Sequence, residues 1–204
     1  MILTGQYDSP FVRRVAISLK VLGFANYKHD QRSVFGDFEE MKSVNPLARI
    51  PSLTLDSGEV LIDSHAILDW LDREVGPARA LLPTKGKART NAMQVIALAC
   101  GAVEKLAAVN YEKIIRPEQY RWGEWIERCD TQAKGALAAL EQLEWEDKPL
   151  DQVQITTGAM LGYLALTRSD VLAAYPSLSA FWARCDGRPE FITTRVGDYA
   201  VPHG

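Results

Sequence analysis

The first 75 residues change their hydrophobic period several times, and the order of those changes limits the fold more than any other feature. "MILTG" is a strand-like run. "SPFVRRVAISLKVLG" after it reads as a helix in which Phe11, Val15, Leu19 and Leu22 form one apolar face and Gly23 closes the last turn. "NYKHD" is a weak second strand, and "FGDFEEMKSVN" a short helix or loop. "PSLTLDSGEVLI" gives two short strands about an Asp-Ser-Gly turn. "SHAILDWLDREVG" is a helix with Ser64 as its cap and Ile67, Leu68, Leu71 and Val75 turned inward. A β-α-β unit needs a crossover and therefore a parallel pair, whereas the hairpin adds antiparallel strands.

The order βαβαββα with a mixed sheet of about four strands is the thioredoxin-like arrangement, an α/β domain expected over residues 1–78. "GPARALLPTKGKAR" carries two prolines, two glycines and a basic run, and residues 79–88 read as a linker. Residues 89–204 are helical throughout, an all-α second domain. The formal net charge of -3 gives no electrostatic footprint for nucleic acid. No uninterrupted apolar run approaches the roughly 18 residues of a membrane span, and "MILTGQYDSP" has no signal-peptide pattern. Cys100, Cys129 and Cys185 are odd in number and widely spaced, which fits reduced core thiols and a cytoplasmic location. His29, His65 and His203 form no metal-ligand spacing with them, so no metal is expected.

Three segments of the small domain could carry chemistry. Ser9-Pro10 stands where the first helix begins. Ser caps helices in proteins of every function, yet a helix N-terminus also stabilises an anion, and a hydroxyl there could donate to a thiolate. "ARIPSL" places Pro51 at the start of a strand. The proline either protects an edge or, with a cis bond, leaves the Ile50 backbone open to an extended peptide. "DSHAI" pairs Asp63 with Ser64 at another helix start, suited to a carboxylate and an ammonium side by side, or simply to a cap. These residues alone leave the alternatives open.

Together the segments resemble the cytosolic glutathione transferases over nearly the whole chain. "SPFVRRV" is similar to the family's active-site stretch, with Ser or Cys at the position of Ser9 and Arg at Arg13. "NPLARIPSL" resembles its "NPxGKVPxL" element and "DSHAILDWL" its "ES-x-AI-x-x-YL" segment. "LGYL" and "YPSLSAFWARCDGRPEF" look like its last helices. The resemblance implies glutathione as co-substrate. Ile50 and Pro51 would pair with the cysteinyl backbone, Asp63 and Ser64 would hold the γ-glutamyl end, and Arg49 and Lys42 would reach the glycyl carboxylate. Ser9 would face the sulfur, with Tyr7 as competitor.

The activity implied is conjugation of glutathione to a small electrophile, a detoxification chemistry, in a homodimer. The alternatives are a glutathione-dependent isomerase or reductase, and a non-catalytic interaction protein. Phe11, Tyr111 and Tyr120 are the candidates for the electrophile pocket. Tyr111, Tyr120 and Trp122 sit at helical spacing, however, where aromatics more often pack in a core or a dimer contact; Trp70, Trp125 and Trp182 read as packing. "DQVQ" (151–154) stands where the family carries a Ser/Thr-x-x-Asp capping box, with Asp151 as cap and Gln154 reaching back.

Overall fold

The computed structural model describes residues 1–24 and 26–196; His203 lies outside them. The small domain runs β1 (Ile2–Thr4), α1 (Pro10–Val21), β2 (Lys28–Asp30), α2 (Phe38–Val44), β3 (Ser52–Thr54), β4 (Val60–Ile62) and α3 (Ser64–Val75). The strands lie in the order β2-β1-β3-β4. β1 is parallel to β2, with Leu3 opposite His29, and antiparallel to β3, with Leu3 opposite Leu53; β3 and β4 form the expected hairpin. The βαβαββα order is therefore the one the sequence dictates. Gly23, at φ 85°, ends α1 as expected: its N–H bonds to Lys20 O and that of Phe24 to Leu19 O.

The helical domain contains α4 (Gly86–Ile114), a 3-10 turn at Glu118–Tyr120, α5 (Gly123–Glu141), α6 (Gln152–Thr167), α7 (Ser169–Ala173), α8 (Pro176–Asp186) and α9 (Pro189–Ile192). α4 is long and apolar enough to cross a membrane. Its Ile96, Ala99, Val103 and Leu106 are instead core residues, packed with Leu137 of α5 and Ile155, Ala159 and Leu161 of α6. All three cysteines are free and buried, and burial pushes the Cys185 thiol up to about 12.

The single apolar face expected of α1 is corrected. The helix is buried on opposite sides because it lies between two cores. Val12, Val15, Ala16 and Leu19 join Leu3, Leu53, Ile67 and Leu71 of the small domain, whereas Ile17 belongs to the helical core and Phe11 packs against it. Full burial of each such aliphatic side chain contributes about 1.5–3 kcal/mol, so α1 holds the domains to each other. Even Arg13 and Arg14 are buried within it.

Two further expectations change. Asp151 does cap α6, accepting the Gln154 N–H at 2.9 Å, but Gln154 does not reach back; its amide donates to Glu146 O at 3.0 Å. Half of the box is present. Tyr111, Tyr120 and Trp122 are 51%, 67% and 60% exposed, so none is core of this chain. Trp182 does pack as expected, edge-on to Phe191 and beneath the Arg13 guanidinium.

Candidate active site

The site is built around the start of α1. After β1 the chain turns through Gly5 to Ser9, whose N–H is bonded to Gln6 O and to the Asp8 carboxylate, the latter at 2.8 Å. Ser9 has the extended backbone of an N-cap, and Pro10 fills the first helical position, where no N–H is needed. The Ser9 hydroxyl oxygen accepts the Val12 N–H at a long 3.4 Å. That bond uses a lone pair and leaves the hydroxyl hydrogen free to donate. The first turn of α1 contains no acidic residue, so its positive end is not neutralised from within the helix.

Gly5 sits against both Val12 and Ile50; a Cβ there would come within 2.8 Å of the Ile50 Cβ. This contact brings the segment before β3 to the head of α1. Buried Asn45 shapes that segment, donating to Arg49 O at 2.9 Å and to the Ser52 hydroxyl at 2.7 Å while accepting from Leu47 N–H. The Ile50–Pro51 bond is cis. Among the described residues, Ile50 takes part in none of the loop and turn backbone hydrogen bonds. Arg49 is exposed. Lys42 is exposed too, paired with Glu39 on its own helix and lying over Phe38.

The cap of α3 differs from the sequence expectation. Asp63, at φ 69°, accepts the His65 N–H at 2.8 Å and is the N-cap, so Ser64 is already the first helical residue. The Ser64 hydroxyl turns inward instead and accepts from the Arg14 guanidinium at 2.6 Å. Asp63 also lies 3.1 Å from His65 Nδ1. Burial pushes its carboxyl up, but the bonds to His65 and the charges of His65 and Arg14 outweigh that and hold it below the usual range. Ser9, Ile50 and Ser64 are thus tied to one end of α1 through Val12, Gly5 and Arg14.

Tyr7 is directed elsewhere. Its hydroxyl is 2.8 Å from that of Tyr27, and its ring stacks on His29 at 3.9 Å. Arg13 reaches away from the site, donating to Phe191 O at 3.1 Å.

Within the helical domain, the Asn110 amide of α4 donates to the Tyr163 hydroxyl of α6 at 2.8 Å. Phe35 contacts the Tyr111 ring edge-on at 5.7 Å. Burial raises the phenol of Tyr111, the charge of Asp8 raises it further, and Arg49 opposes them. Tyr163 is likewise raised by burial, and Asp8 adds to it. Through Phe35, Tyr111 therefore meets the small domain. Phe11 packs against the helical core, and Tyr120 lies on the exposed 3-10 turn.

Reading the sequence missed Asp8, Arg14, Asn45 and Tyr163. An acid next to the Ser9 cap is the only local signal that could have flagged Asp8, because the others depend on tertiary neighbours. Among the described residues no group of three or more His, Cys, Asp or Glu could hold a metal ion.

Comparison with known proteins identifies relatives of this fold. Residues 3–79 match the family model described as glutathione S-transferase, N-terminal domain. The chain is 32% identical to a glutathione transferase family member from Pseudomonas fluorescens Pf-5, whose crystal structure has bound glutathione. That match covers 96% of this chain and 98% of the other, with a TM-score of 0.86. Among curated proteins, the probable maleylacetoacetate isomerase 1 of Drosophila melanogaster is 34% identical over 92 residues, 44% of this chain. The maleylacetoacetate isomerase of Pseudomonas aeruginosa is 30% identical over 139 residues, 64% of this chain. The chain spans 37% and 62% of the lengths of those two relatives.

Proposed function

Because the chain belongs to the glutathione S-transferase family, we propose that it binds glutathione at the head of α1 and transfers its thiolate to a small electrophile. The observation that carries this reading is the Ser9 hydroxyl, which caps α1 through its oxygen and keeps its hydrogen for a sulfur. The tripeptide lies extended, its cysteinyl backbone paired with Ile50 beside cis Pro51. Its γ-glutamyl carboxylate meets the Ser64 hydroxyl and the start of α3, with Asp63 opposite the ammonium. The glycyl carboxylate is met by Arg49, and by Lys42 once it leaves Glu39.

The magnitudes are sufficient. A thiol of pKa about 8.5 is only a few per cent ionised at neutral pH, and lowering it by about two units requires ~2.7 kcal/mol. A hydrogen bond from Ser9 to the thiolate supplies about 1.5–3 kcal/mol. The end of α1 adds about 0.3–1 kcal/mol. The thiolate then forms its S–C bond as the leaving group departs, or as a conjugated double bond takes up the electron pair. A homodimer and a cytoplasmic location belong to the same proposal, on family resemblance.

Ser9→Ala tests it. The pKa of bound glutathione, followed by ultraviolet thiolate absorbance, should rise by about one to two units, and kcat/KM should fall about 10- to 100-fold. An unchanged absorbance would leave Ser9 as a helix cap and turn attention to Tyr7. Failure to bind glutathione in calorimetry would leave an interaction protein.

A second reading, glutathione-dependent isomerisation, is favoured by the names of the two curated relatives. There the thiolate adds to a cis double bond, the new single bond rotates, and the thiolate leaves again. Turnover of a maleyl substrate without consumption of glutathione would support it.

A further inference from the structure

We propose that Asn45 is a positioning residue for glutathione, its carboxamide holding Ala48 in a left-handed backbone so that Ile50 stays presented to the tripeptide. This rests on the glutathione reading above. Asn45 directly follows α2 and is buried. Both of its amide hydrogens are used, Nδ2 donating to Arg49 O at 2.9 Å and to the Ser52 hydroxyl at 2.7 Å. Its Oδ1 accepts the Leu47 N–H at 3.0 Å and the Arg49 N–H at 3.4 Å. The Asn45 backbone carbonyl accepts the Ala48 N–H at 3.0 Å. One side chain therefore grips the loop on both sides of Ile50, at Arg49 before it and at Ser52 after it.

That grip opposes a local preference. Buried Ala48 has φ 47°, where a Cβ crowds the backbone. Ala48 and Asp63 are the two non-glycine residues at positive φ among the described residues. Asp63 secures its own conformation, its carboxylate accepting the His65 N–H. Ala48 has no polar side chain, so its strain is held from outside, and the side chain bonded to the residues before and after it is Asn45. The side chain of Ile50 is fixed separately, packed so closely on Gly5 that a Cβ there would lie 2.8 Å from the Ile50 Cβ. The Gly5 N–H is in turn bonded to Asp30 O at 2.8 Å. What Asn45 adds is the direction of the Ile50 backbone groups, and groups fixed in advance bind at lower entropic cost than mobile ones. Without the carboxamide, Ala48 relaxes to negative φ and the Ile50 backbone, two residues on, turns with it.

The test measures the Kd of glutathione by calorimetry and the pKa of its bound thiol by thiolate absorbance, on protein shown by circular dichroism to be folded. Asn45→Ala should raise the Kd about tenfold and leave the thiol pKa in place, because Ser9 is untouched. Asn45→Asp has the same shape and keeps the acceptors, but it loses both donations and turns an oxygen toward Arg49 O. It should raise the Kd as well, and it serves where Asn45→Ala does not fold. Ala48→Gly added to either variant removes the strain that the carboxamide opposes and should recover about fivefold in affinity. A general loss of stability would not return glutathione affinity in this way. A Kd within twofold of the wild type in both Asn45 variants, or no recovery on adding Ala48→Gly, overturns the proposal while leaving the glutathione reading intact. Absence of glutathione binding by the wild type overturns the two together.

Discussion

The Arg14 guanidinium donates to the Ser64 hydroxyl at 2.6 Å from a position with no exposure to solvent. Its other terminal nitrogen points to Cys100 Sγ at 3.2 Å, and its Nε has no partner among the described residues. Burial lowers the pKa of this cation, opposed by Cys100, Asp63 and Glu104. Because Ser64 accepts from Arg14, its hydroxyl hydrogen is still available to donate, as the proposed γ-glutamyl carboxylate requires. On the proposed glutathione reading, Arg14 is a positioning residue for the γ-glutamyl end. In Arg14→Met, the Kd for glutathione should rise about tenfold or more, the worth of a charge-assisted hydrogen bond. Stability should change by less than about 2 kcal/mol, since an apolar residue there also removes an unpaired buried charge. Calorimetry and urea unfolding separate the two effects. An unchanged Kd would show that Ser64 needs no such support.

Gly5 sits at φ 128°, and a Cβ there would lie 2.6 Å from Val12 Cγ2 as well as 2.8 Å from Ile50 Cβ. Val12 is fully buried and cannot yield. Gly5→Ala should therefore cost roughly 2–5 kcal/mol, from backbone strain and overpacking together. The urea midpoint of this variant measures it. The folded fraction should also bind glutathione more weakly, because Ile50 is pushed away from the head of α1.

How far these features could be read in advance depends on whether their causes are local. The order of the strands and helices follows from hydrophobic period, and the crossover rule fixes β1 parallel to β2. Caps at Ser9 and Asp151 are equally local, since a side chain meets a backbone N–H three residues on. The two-sided burial of α1 is not local. Phe11, Val15, Leu19 and Leu22 match a helical period, but nothing in the stretch says that a second core covers Ile17 and both arginines. The cap of α3 moved from Ser64 to Asp63 for a similar reason: Arg14, 50 residues away, draws the Ser64 hydroxyl inward. For Tyr111 and Tyr120 the helical spacing left pocket wall, core and dimer contact open, and only the placement of the helices shows them exposed.

Asp151 offers a cleaner measure of a local effect. Its carboxylate accepts the Gln154 N–H at 2.9 Å and pairs with exposed Lys148 at 2.8 Å. Exposed pairs contribute little, so the cap carries the effect. Asp151→Ala should lower stability by about 1 kcal/mol, and Asp151→Ser should recover most of it. Glutathione affinity should not move in either variant. A loss in both alike would assign the effect to the charge pair instead.

His29 supplies a pH dependence of definite sign. Its Nε2 lies 2.7 Å from the Gly5 carbonyl, which can only accept, so that nitrogen carries the hydrogen; the ring stacks on Tyr7. Burial lowers its pKa, against the upward pull of the Gly5 bond and the charge of Asp30. The unfolded chain therefore takes up the proton at a higher pH than the native one. Stability should fall as pH drops below the unfolded value of about 6.5, and level off once the native pKa is passed. Asp8 and Asp72, both raised by burial, give the opposite slope in the carboxylate range at lower pH. His29→Gln keeps an amide that can donate to Gly5 O but cannot titrate. Urea unfolding between about pH 7 and pH 5 should show the decline in the wild type and a flatter line in the variant. Parallel declines would exclude His29 as their source.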